Sequence, residues 1–376
     1  MREPRHLQEK LIFRKTQNSL RSLKMTLFEH DFFSNDYLGF ARSEEIRRKG
    51  EKILSKNYQN GATGSRLLSG NYALLTETER LIADYHRAEN ALLFNSGYDA
   101  NVGFFSSVPQ RNDVVLYDAF IHASIRDGLQ MGAARTYKFQ HNDVTHLEFL
   151  LKKHTQENSS VYVATESVFS MDGDTPDLHA MAYLCERYGA FLVVDEAHSA
   201  GVFGKQGEGL VPHLGLENAV FARIVTYGKA FGCHGAAVLG SANLIDFLIN
   251  FARSFIYTTA MSPHSVAVIK AAYQEMKTTG AIVRLHQAIE HFRNEMLRTR
   301  LAERFIPSRS SIQALVVSGN SRVKSVSAKL QSLGFGVMPI LSPTVAEGEE
   351  RLRFCLHSYN TKESISALAD SIAEVI

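Results

Sequence analysis

Short apolar runs alternate with helical patterns over most of this 376-residue sequence, from about residue 45 to about residue 265. The stretches between the runs carry apolar residues three or four positions apart, as Met181, Leu184 and Cys185 are. Regular strand–helix alternation predicts an α/β fold with a mostly parallel central sheet whose faces are covered by helices. The runs that we expect to form strands are residues 91–94, 114–117, 161–164, 191–194, 221–225 and 236–239.

The rhythm changes after about residue 270, where a long helical stretch replaces the short alternation. The remaining pattern predicts a small α+β domain. Its expected elements are a strand at 314–317, a helix that ends at Gly334, short strands at 337–341 and 351–356, and a last helix with Asn360 as its N-cap.

The N-terminal segment is rich in basic residues, and Leu7, Leu11 and Ile12 recur in it at helical spacing. This pattern predicts an amphipathic helical arm that stays on the mature protein. The predicted organisation is therefore an N-terminal arm (1–44), a large α/β domain (45–270) and a small C-terminal α+β domain (271–376).

Charge and composition exclude several classes of partner. The 41 Lys and Arg residues against 39 Asp and Glu residues give a net charge of +2, so we expect neither a nucleic-acid nor a membrane partner. No apolar stretch is long enough to span a bilayer. The three cysteines are far apart and lack metal or redox spacing, which predicts reduced core thiols and a cytoplasmic location. They are Cys185, Cys233 and Cys355.

Ionisable side chains directly follow two of the expected strands. Asp195 and His198 come after the run at 191–194, and Thr226 and Lys229 come after the run at 221–225. Strand ends are where α/β proteins build ligand sites. A lysine amine can form a Schiff base with pyridoxal phosphate (PLP), and a carboxylate can keep the pyridine nitrogen protonated. Taken singly, Asp195 could cap a helix, His198 could pack in the core and Lys229 could be a solvated charge.

Two further segments could complete such a site. Residues 95–98 follow a strand and precede a helix, so Gly97 could let a phosphate approach the helix N-terminus. An ordinary strand-to-helix turn that binds no ligand would have the same sequence pattern. His122, after the run at 114–117, could stack on a cofactor ring or be a core histidine. The carboxylates of residues 166–174 could suggest a metal site with Asp177 and His179, but no metal-binding motif supports it and we expect no metal.

Nine segments occur in a characteristic order along the chain. They are residues 34–39, 64–71, 94–98, 122–127, 166–174, 195–198, 226–230, 256–259, and 343–345 together with 351–353. In this order the segments resemble the α-oxoamine synthase family of fold-type-I PLP enzymes, over nearly the whole chain. The resemblance implies the fold of PLP-dependent transferases of fold type I and a homodimer with shared active sites.

The resemblance also implies a role for individual residues. Lys229 would be the Schiff-base lysine and remove the α-proton of the amino acid, and His122 would stack on the pyridine ring. Asn35 and Arg353 would clamp the carboxylate of the amino acid, since a guanidinium can grip a carboxylate with two hydrogen bonds. The other cofactor contacts would be Asp195 to the ring nitrogen, His198 and Ser170 to the phenolic oxygen, and Gly97, Tyr98 and Thr226 to the phosphate, with Thr258 and Thr259 from the second subunit.

Family members join an amino acid to an acyl thioester with loss of carbon dioxide. Residues 141–147 and 319–322 are similar to the biotin-pathway branch, which joins L-alanine to a pimeloyl thioester of CoA or a carrier protein. Arg21 and Thr344 fall where that branch binds its substrate. The same chemistry with glycine or with serine is the alternative, because one methyl group discriminates alanine from glycine by only about 1–3 kcal/mol.

Two other classes of function were weighed. A metal-dependent hydrolase would use Asp172, Asp174, Asp195 and His198, but it leaves Lys229 without a role. A non-catalytic scaffold that binds acyl thioesters would not need the lysine, the histidine and the aspartate together. We therefore expect an enzyme with amino-acid and acyl-thioester substrates.

Overall fold

The computed structural model of this chain describes residues 3–23, 27–55, 59–155 and 159–376. Among them we find no helix with the length and apolarity that a membrane span requires. The strands are β1 (His30–Asp31), β2 (Asn90–Phe94), β3 (Val114–Asp118), β4 (Arg135–Phe139), β5 (Val161–Glu166), β6 (Phe191–Asp195), β7 (Ala222–Thr226), β8 (Ala236–Gly240), β9 (Ile312–Val316), β10 (Phe335–Gly336), β11 (Met338–Ile340) and β12 (Arg351–Cys355).

Helices separate most of these strands, as the alternation predicted. The α-helices are α1 (Arg5–Thr16), α2 (Glu44–Leu54), α3 (Ala73–His86), α4 (Gly97–Ser107), α5 (Ala123–Met131), α6 (Val144–His154), α7 (Leu178–Tyr188), α8 (Leu210–His213), α9 (Ala242–Phe251), α10 (Arg253–Ile256), α11 (Pro263–Met276), α12 (Ala281–Arg298), α13 (Asn320–Ser332) and α14 (Lys362–Val375).

Residues 35–170 and 175–282 form one compact unit around a seven-stranded sheet of order β2-β8-β7-β6-β5-β3-β4. The five strands from β7 to β4 are parallel to one another, and β8 is antiparallel to both of its neighbours. The prediction of a mostly parallel sheet is thus confirmed, and all six predicted runs lie in this sheet. The strand that the prediction lacked is β4, an edge strand whose residues are largely exposed and polar.

Successive side chains of a strand point to opposite faces of the sheet, and both faces of this sheet are buried. Val115 of β3 packs into the cluster that contains Phe104 and Phe105 of α4. Its neighbours Val114 and Leu116 pack into the cluster on the other face, which includes residues of α6 and α7. Apolar runs without polar alternation are therefore what this sheet requires.

The parallel strands all end on the same side of the sheet, and four of the last residues are polar and buried. They are Asp118 of β3, Glu166 of β5, Asp195 of β6 and Thr226 of β7. The register places Glu166 directly opposite Asp195, so both side chains lie on the same face of the sheet. This edge positions the functional groups described below.

The second compact unit comprises the described residues up to Ser34, residues 171–174 and residues 283–376. It holds an antiparallel sheet of order β11-β12-β9 and the parallel pair β1–β10. The predicted strands at 314–317, 337–341 and 351–356 correspond to β9, β11 and β12. The predicted division at 44/45 and 270/271 stays a prediction; the two units have their edges at 34/35 and 282/283.

Two terminal helices refine the sequence analysis. The predicted N-terminal helix is α1, and none of its described side chains is buried. The last helix is capped by Thr361, whose hydroxyl accepts from the N–H of Ser364, so the prediction of Asn360 as the cap is wrong. The side chain of Asn360 accepts instead from the N–H of His357 at 2.7 Å and donates to the carbonyl of Asp31 at 3.0 Å.

Candidate active site

A cavity of about 280 Å³ opens at the edge where the parallel strands end, inside the unit of the seven-stranded sheet. Eight of the predicted site residues line it. They are Asn35, Gly97, Tyr98, His122, Asp195, His198, Thr226 and Lys229. The cavity therefore brings a carboxylate, two imidazoles, an amine and a helix N-terminus together, although these groups are far apart in the sequence.

Asp195 is held by donors on both of its carboxylate oxygens. The amide of Asn101, on α4, donates to Oδ2 at 2.8 Å, and the N–H of Ala197 donates to Oδ1 at 2.9 Å. The side chain is 5% exposed. No helix begins until α8 at Leu210, so Asp195 does not cap a following helix. A fixed and buried carboxylate of this kind suits a positively charged ring nitrogen of a ligand.

His122 precedes α5 and opens onto the same cavity. Its Nδ1 lies 2.7 Å from the hydroxyl of Ser124, which also accepts from the amide of Asn101 at 3.0 Å. The ring is thereby connected to the donor that holds Asp195. Although its surface is open to the cavity, partial burial lowers the pKa of His122, and the charge of Lys229 adds to this, whereas Asp195 opposes it.

Lys229 lies in a tight turn that follows β7. The N–H of Tyr227 donates to the carbonyl of Gly235 at 2.9 Å, and the N–H of Cys233 donates to the carbonyl of Tyr227 at 2.7 Å. The amine of Lys229 is half-buried and lies 3.5 Å from the hydroxyl of Thr226. This position in a cavity wall excludes the alternative of a solvated surface charge.

The N-terminus of α4 forms another wall of the cavity. The hydroxyl of Ser96 caps the helix by accepting from the N–H of Asp99 at 3.0 Å. A Cβ atom at Gly97 would lie 2.6 Å from Cγ2 of Thr226, so glycine is needed for this close approach. The hydroxyl of Tyr98 donates to Asp127 at 2.6 Å. Backbone N–H groups at a helix N-terminus bind anions, so this wall can hold a phosphate.

His198 and Asn35 meet through a shared partner. The hydroxyl of Tyr37 lies 2.8 Å from Nδ1 of His198 and donates to the side-chain oxygen of Asn35 at 3.1 Å. His198 is 5% exposed and Tyr37 is fully buried. The hydrogen bond holds the orientation of the imidazole in the cavity wall.

Glu166 also lines the cavity, and the sequence analysis gave it no role in cofactor binding. It is 3% exposed, and its Oε1 has no hydrogen-bond partner among the described residues. Burial raises the pKa of Glu166 well above its usual range, and the negative charge of Asp195 raises it further, against the effect of Lys229. Two carboxyl groups thus lie side by side at the carboxyl ends of neighbouring strands, and they differ in the hydrogen-bond donors that they receive.

The other predicted site residues do not line this cavity. Ser170 is half-buried and follows β5 by four residues. Thr258 and Thr259 line a separate pocket, where the amide of Asn95 donates to the Thr258 hydroxyl at 3.1 Å and to the Thr259 carbonyl at 2.9 Å. Asp177, weighed as a metal ligand, instead caps α7 by accepting from the N–H of Ala180.

Three predicted site residues belong to the second compact unit. The guanidinium of Arg21 donates to the hydroxyl of Thr344 at 3.1 Å, so the structure joins the two residues expected to bind the acyl substrate. Both are exposed. Arg353 lies in β12, opposite Ala314 of β9 and Met338 of β11.

Asn101 and Ser124 are polar site residues that the sequence analysis missed. Asn101 lies four positions after Gly97 and is 2% exposed among the apolar residues of α4. A polar residue on the apolar face of a helix, one turn from a candidate phosphate-binding glycine, was the available signal. Ser124 is fully buried in the first turn of α5 and carried no comparable signal.

Comparison with known proteins gives three findings. A family model described as aminotransferase class I and II matches residues 30–372. The curated 8-amino-7-oxononanoate synthase of Emericella nidulans is 39% identical over 383 residues, which cover 96% of this chain and 93% of that protein. The crystal structure of an 8-amino-7-oxononanoate synthase from Francisella tularensis has a TM-score of 0.78 at 27% identity and covers 92% of this chain and 97% of its own.

A fourth likeness concerns the fold alone. A serine palmitoyltransferase from S. paucimobilis has a TM-score of 0.89 at 24% identity, covering 99% of this chain and 96% of that chain. The predicted fold type I architecture is confirmed by these structures.

Proposed function

Because this chain belongs to the aminotransferase class I and II family and, within it, to the α-oxoamine synthases, we propose that it joins L-alanine to a pimeloyl thioester. The products would be 8-amino-7-oxononanoate, carbon dioxide and free thiol, in biotin biosynthesis. Membership makes the chain a PLP-dependent acyltransferase, as the sequence predicted. The observation that carries the choice of substrates is the 39% identity, over nearly the full length, to a curated synthase of that name.

The cavity fits PLP at three points. The N-terminus of α4, with Gly97 close to Thr226, suits the phosphate. Asp195 suits a protonated ring nitrogen, because donors on both oxygens hold it as an acceptor facing the cavity. The amine of Lys229 lies in the same cavity, where an aldehyde carbon can reach it. When bound, PLP supplies that aldehyde and a ring that takes up electrons.

The residues of the chain would divide the work between holding the cofactor and moving protons. Lys229 would hold the cofactor covalently, then accept the α-proton of the amino acid at Nζ and return a proton later. Asp195 would keep the ring nitrogen protonated. His122 would stack on the ring, and partial burial, which lowers the pKa of His122, disfavours the charged form of its imidazole. His198 would contact the phenolic oxygen, with Tyr37 fixing its ring.

The substrates would be held by residues that the sequence analysis named. We assign the carboxylate of the amino acid to Asn35 and Arg353, and the acyl substrate to Arg21 and Thr344. The hydrogen bond between Arg21 and Thr344 supports a shared role for this pair. Ser170 stays assigned to the phenolic oxygen, although it does not line the cavity of Lys229.

We also propose a homodimer that acts in the cytoplasm. Thr258 and Thr259 are held by Asn95 and line a pocket other than the cavity of Lys229 in the same chain. Their proposed role in phosphate binding would be in the cavity of a second copy of the chain. Two-fold symmetry would make the exchange of residues reciprocal. An active species that sediments as a monomer would overturn this part.

The test is the visible absorption of the chain loaded with PLP and titrated with L-alanine, glycine and L-serine. We expect a spectral change with L-alanine at the lowest concentration, and release of thiol from pimeloyl-CoA or from a pimeloyl carrier protein only when L-alanine is present. A response to glycine or serine alone would assign the chain to the corresponding alternative. No visible band with PLP would refute the proposal as a whole.

A further inference from the structure

Glu166 is a buried group of the cavity for which the proposed chemistry has no use. It ends β5 directly opposite Asp195 of β6, and it is 3% exposed. The backbone N–H of His122 lowers the pKa of the Glu166 carboxyl group, against the larger effect of burial. Glu166 therefore interacts with both residues that would hold the cofactor ring: it lies opposite Asp195 in the sheet register, and its charge state depends on the backbone dipole of His122.

The two neighbouring carboxyl groups differ in how their oxygens are satisfied. Asp195 receives a donor on each oxygen, from Asn101 and from the N–H of Ala197. Oε1 of Glu166 has no hydrogen-bond partner in the described part of the chain. An ionised oxygen buried without a donor is costly, whereas a protonated oxygen can itself donate to a ligand or to water.

The charged groups around Glu166 support the same assignment of the proton. Asp195 and Asp118, at the ends of the flanking strands, both disfavour a negative charge on Glu166, and Lys229 favours it. Burial is the largest effect and raises the pKa of Glu166 well above its usual range. When two carboxyl groups lie side by side in a buried site, the proton stays on the one with fewer donors.

We propose that Glu166 is a positioning residue that, as an uncharged carboxylic acid, fixes His122 against the cofactor ring and leaves Asp195 as the negative charge beside the ring nitrogen. The proton lies on Oε1, and the other oxygen accepts from the backbone N–H of His122. This inference rests on the proposed PLP site, and its test separates the two.

The first variant is Glu166→Gln, which keeps the shape, the acceptor and a donor but can never carry a charge. We expect its affinity for PLP to stay within about two-fold of the parent chain. The pH at which the visible band of the bound cofactor changes is expected to stay within about 0.3 pH unit. If Glu166 were ionised, the substitution would remove a negative charge beside Lys229 and shift that pH down by about one unit or more, which would overturn the proposal.

The second variant is Glu166→Ala, which leaves the N–H of His122 without its acceptor. We expect PLP affinity to fall about ten-fold or more, because a buried donor is left unpaired. The circular dichroism of the cofactor band should change as well, since that signal depends on how the ring is held. An Ala variant with the affinity and dichroism of the parent chain would show that Glu166 does not position His122.

A third measurement needs no cofactor. The infrared spectrum of the apoprotein at pH 7 should contain a protonated-carboxyl band that is lost in Glu166→Gln and retained in the control Glu186→Gln, at an exposed position of α7. Absence of that difference would refute the uncharged state even if the Ala variant fails to fold. If the parent chain itself forms no visible band with PLP, the proposed function is refuted. If the parent chain forms the band but the Glu166 variants do not give the results expected above, only this inference is refuted.

Discussion

Asp31→Asn is expected to destabilise the unit that contains β1 in a pH-dependent way. One oxygen of Asp31 accepts from the N–H groups of Phe33 and Ser34 at 3.1 and 3.0 Å, and the other accepts from the hydroxyls of Ser34 and Tyr359 at 2.8 and 3.0 Å. Partial burial would raise the pKa of this carboxyl, but the charge of His357 and the donated hydrogen bonds outweigh it. The pKa of Asp31 is thereby lowered from 3.8 to about 2.

The size and sign of the effect follow from this shift. A difference of almost two units at about 1.4 kcal/mol per unit gives roughly 2 kcal/mol, and solvent screening of a half-buried group makes that an upper figure. Because the pKa of folded Asp31 lies below its unfolded value, the stabilisation is fully present above pH 4. It is lost as the pH falls through 2. The amide of Asn cannot supply it at any pH.

The assay is urea unfolding of the parent chain and of Asp31→Asn from pH 7 down to pH 3. We expect a difference in the free energy of unfolding of about 1–2 kcal/mol that is constant from pH 7 to pH 5 and shrinks below pH 4. Asp246→Asn, at an exposed position of α9, is the matched control and should show no difference. A difference that is absent at pH 7, or that grows as the pH falls, would refute the argument.

Three further substitutions test the cavity. Lys229→Ala should abolish the visible band formed with PLP and lower the condensation rate by about 10⁴-fold or more. The control Lys205→Ala, at an exposed position, should leave both unchanged. Activity that survives in Lys229→Ala would exclude the proposed chemistry. Asn101→Ala removes the donor to Oδ2 of Asp195 and should weaken PLP binding by about ten-fold in equilibrium dialysis, so unchanged binding would contradict the assigned support. Ser96→Ala removes the cap of α4 and should cost about 1 kcal/mol in urea unfolding; a neutral result would mean that water replaces the hydroxyl.

The parallel sheet could be predicted because strands that are buried on both faces have continuous apolar sequences. β3, β5 and β6 read as continuous apolar runs, and each ends within two residues of its predicted limit. β4 could not be predicted from such runs, because it lies at the edge and most of its side chains face solvent. Apolar runs thus predict the central strands of a sheet but do not predict a polar edge strand.

The cap of α14 shows the limit of local rules. Asn360 and Thr361 are both good N-cap residues, so the sequence alone ranks them almost equally. Asn360 is occupied by the backbone groups of His357 and Asp31, and the helix therefore begins one residue later. Asp31 is more than 300 positions away, and no local pattern could indicate that competition.

The candidate site was predictable where function follows from position at a strand end. Asp195, Thr226 and Lys229 stand at or just after such ends, and the cavity contains all three. The missed residues depend on tertiary structure instead. Asn101 reaches Asp195 through the packing of α4 against the sheet. Glu166 also stands at a strand end, but its pairing with Asp195 follows from the register of β5 with β6, which the sequence does not show.

Burial differs between the residues proposed to bind the cofactor and those proposed to bind the acyl substrate. This difference explains why the cofactor is easier to predict from the sequence than the acyl substrate. Asp195 and His198 are each 5% exposed and Thr226 is 7% exposed, so any change there disturbs the packing of the sheet edge as well as the ligand. Arg21 and Thr344 meet in an exposed hydrogen bond, where substitution costs little stability. A buried cofactor site can thus be kept in proteins whose acyl-binding residues differ. A fold shared at 24% identity consequently carries no information on the acyl chain. The proposed role of Arg21 and Thr344 in acyl binding is tested by comparing the KM values of variants at these two positions for thioesters of different length and terminal charge.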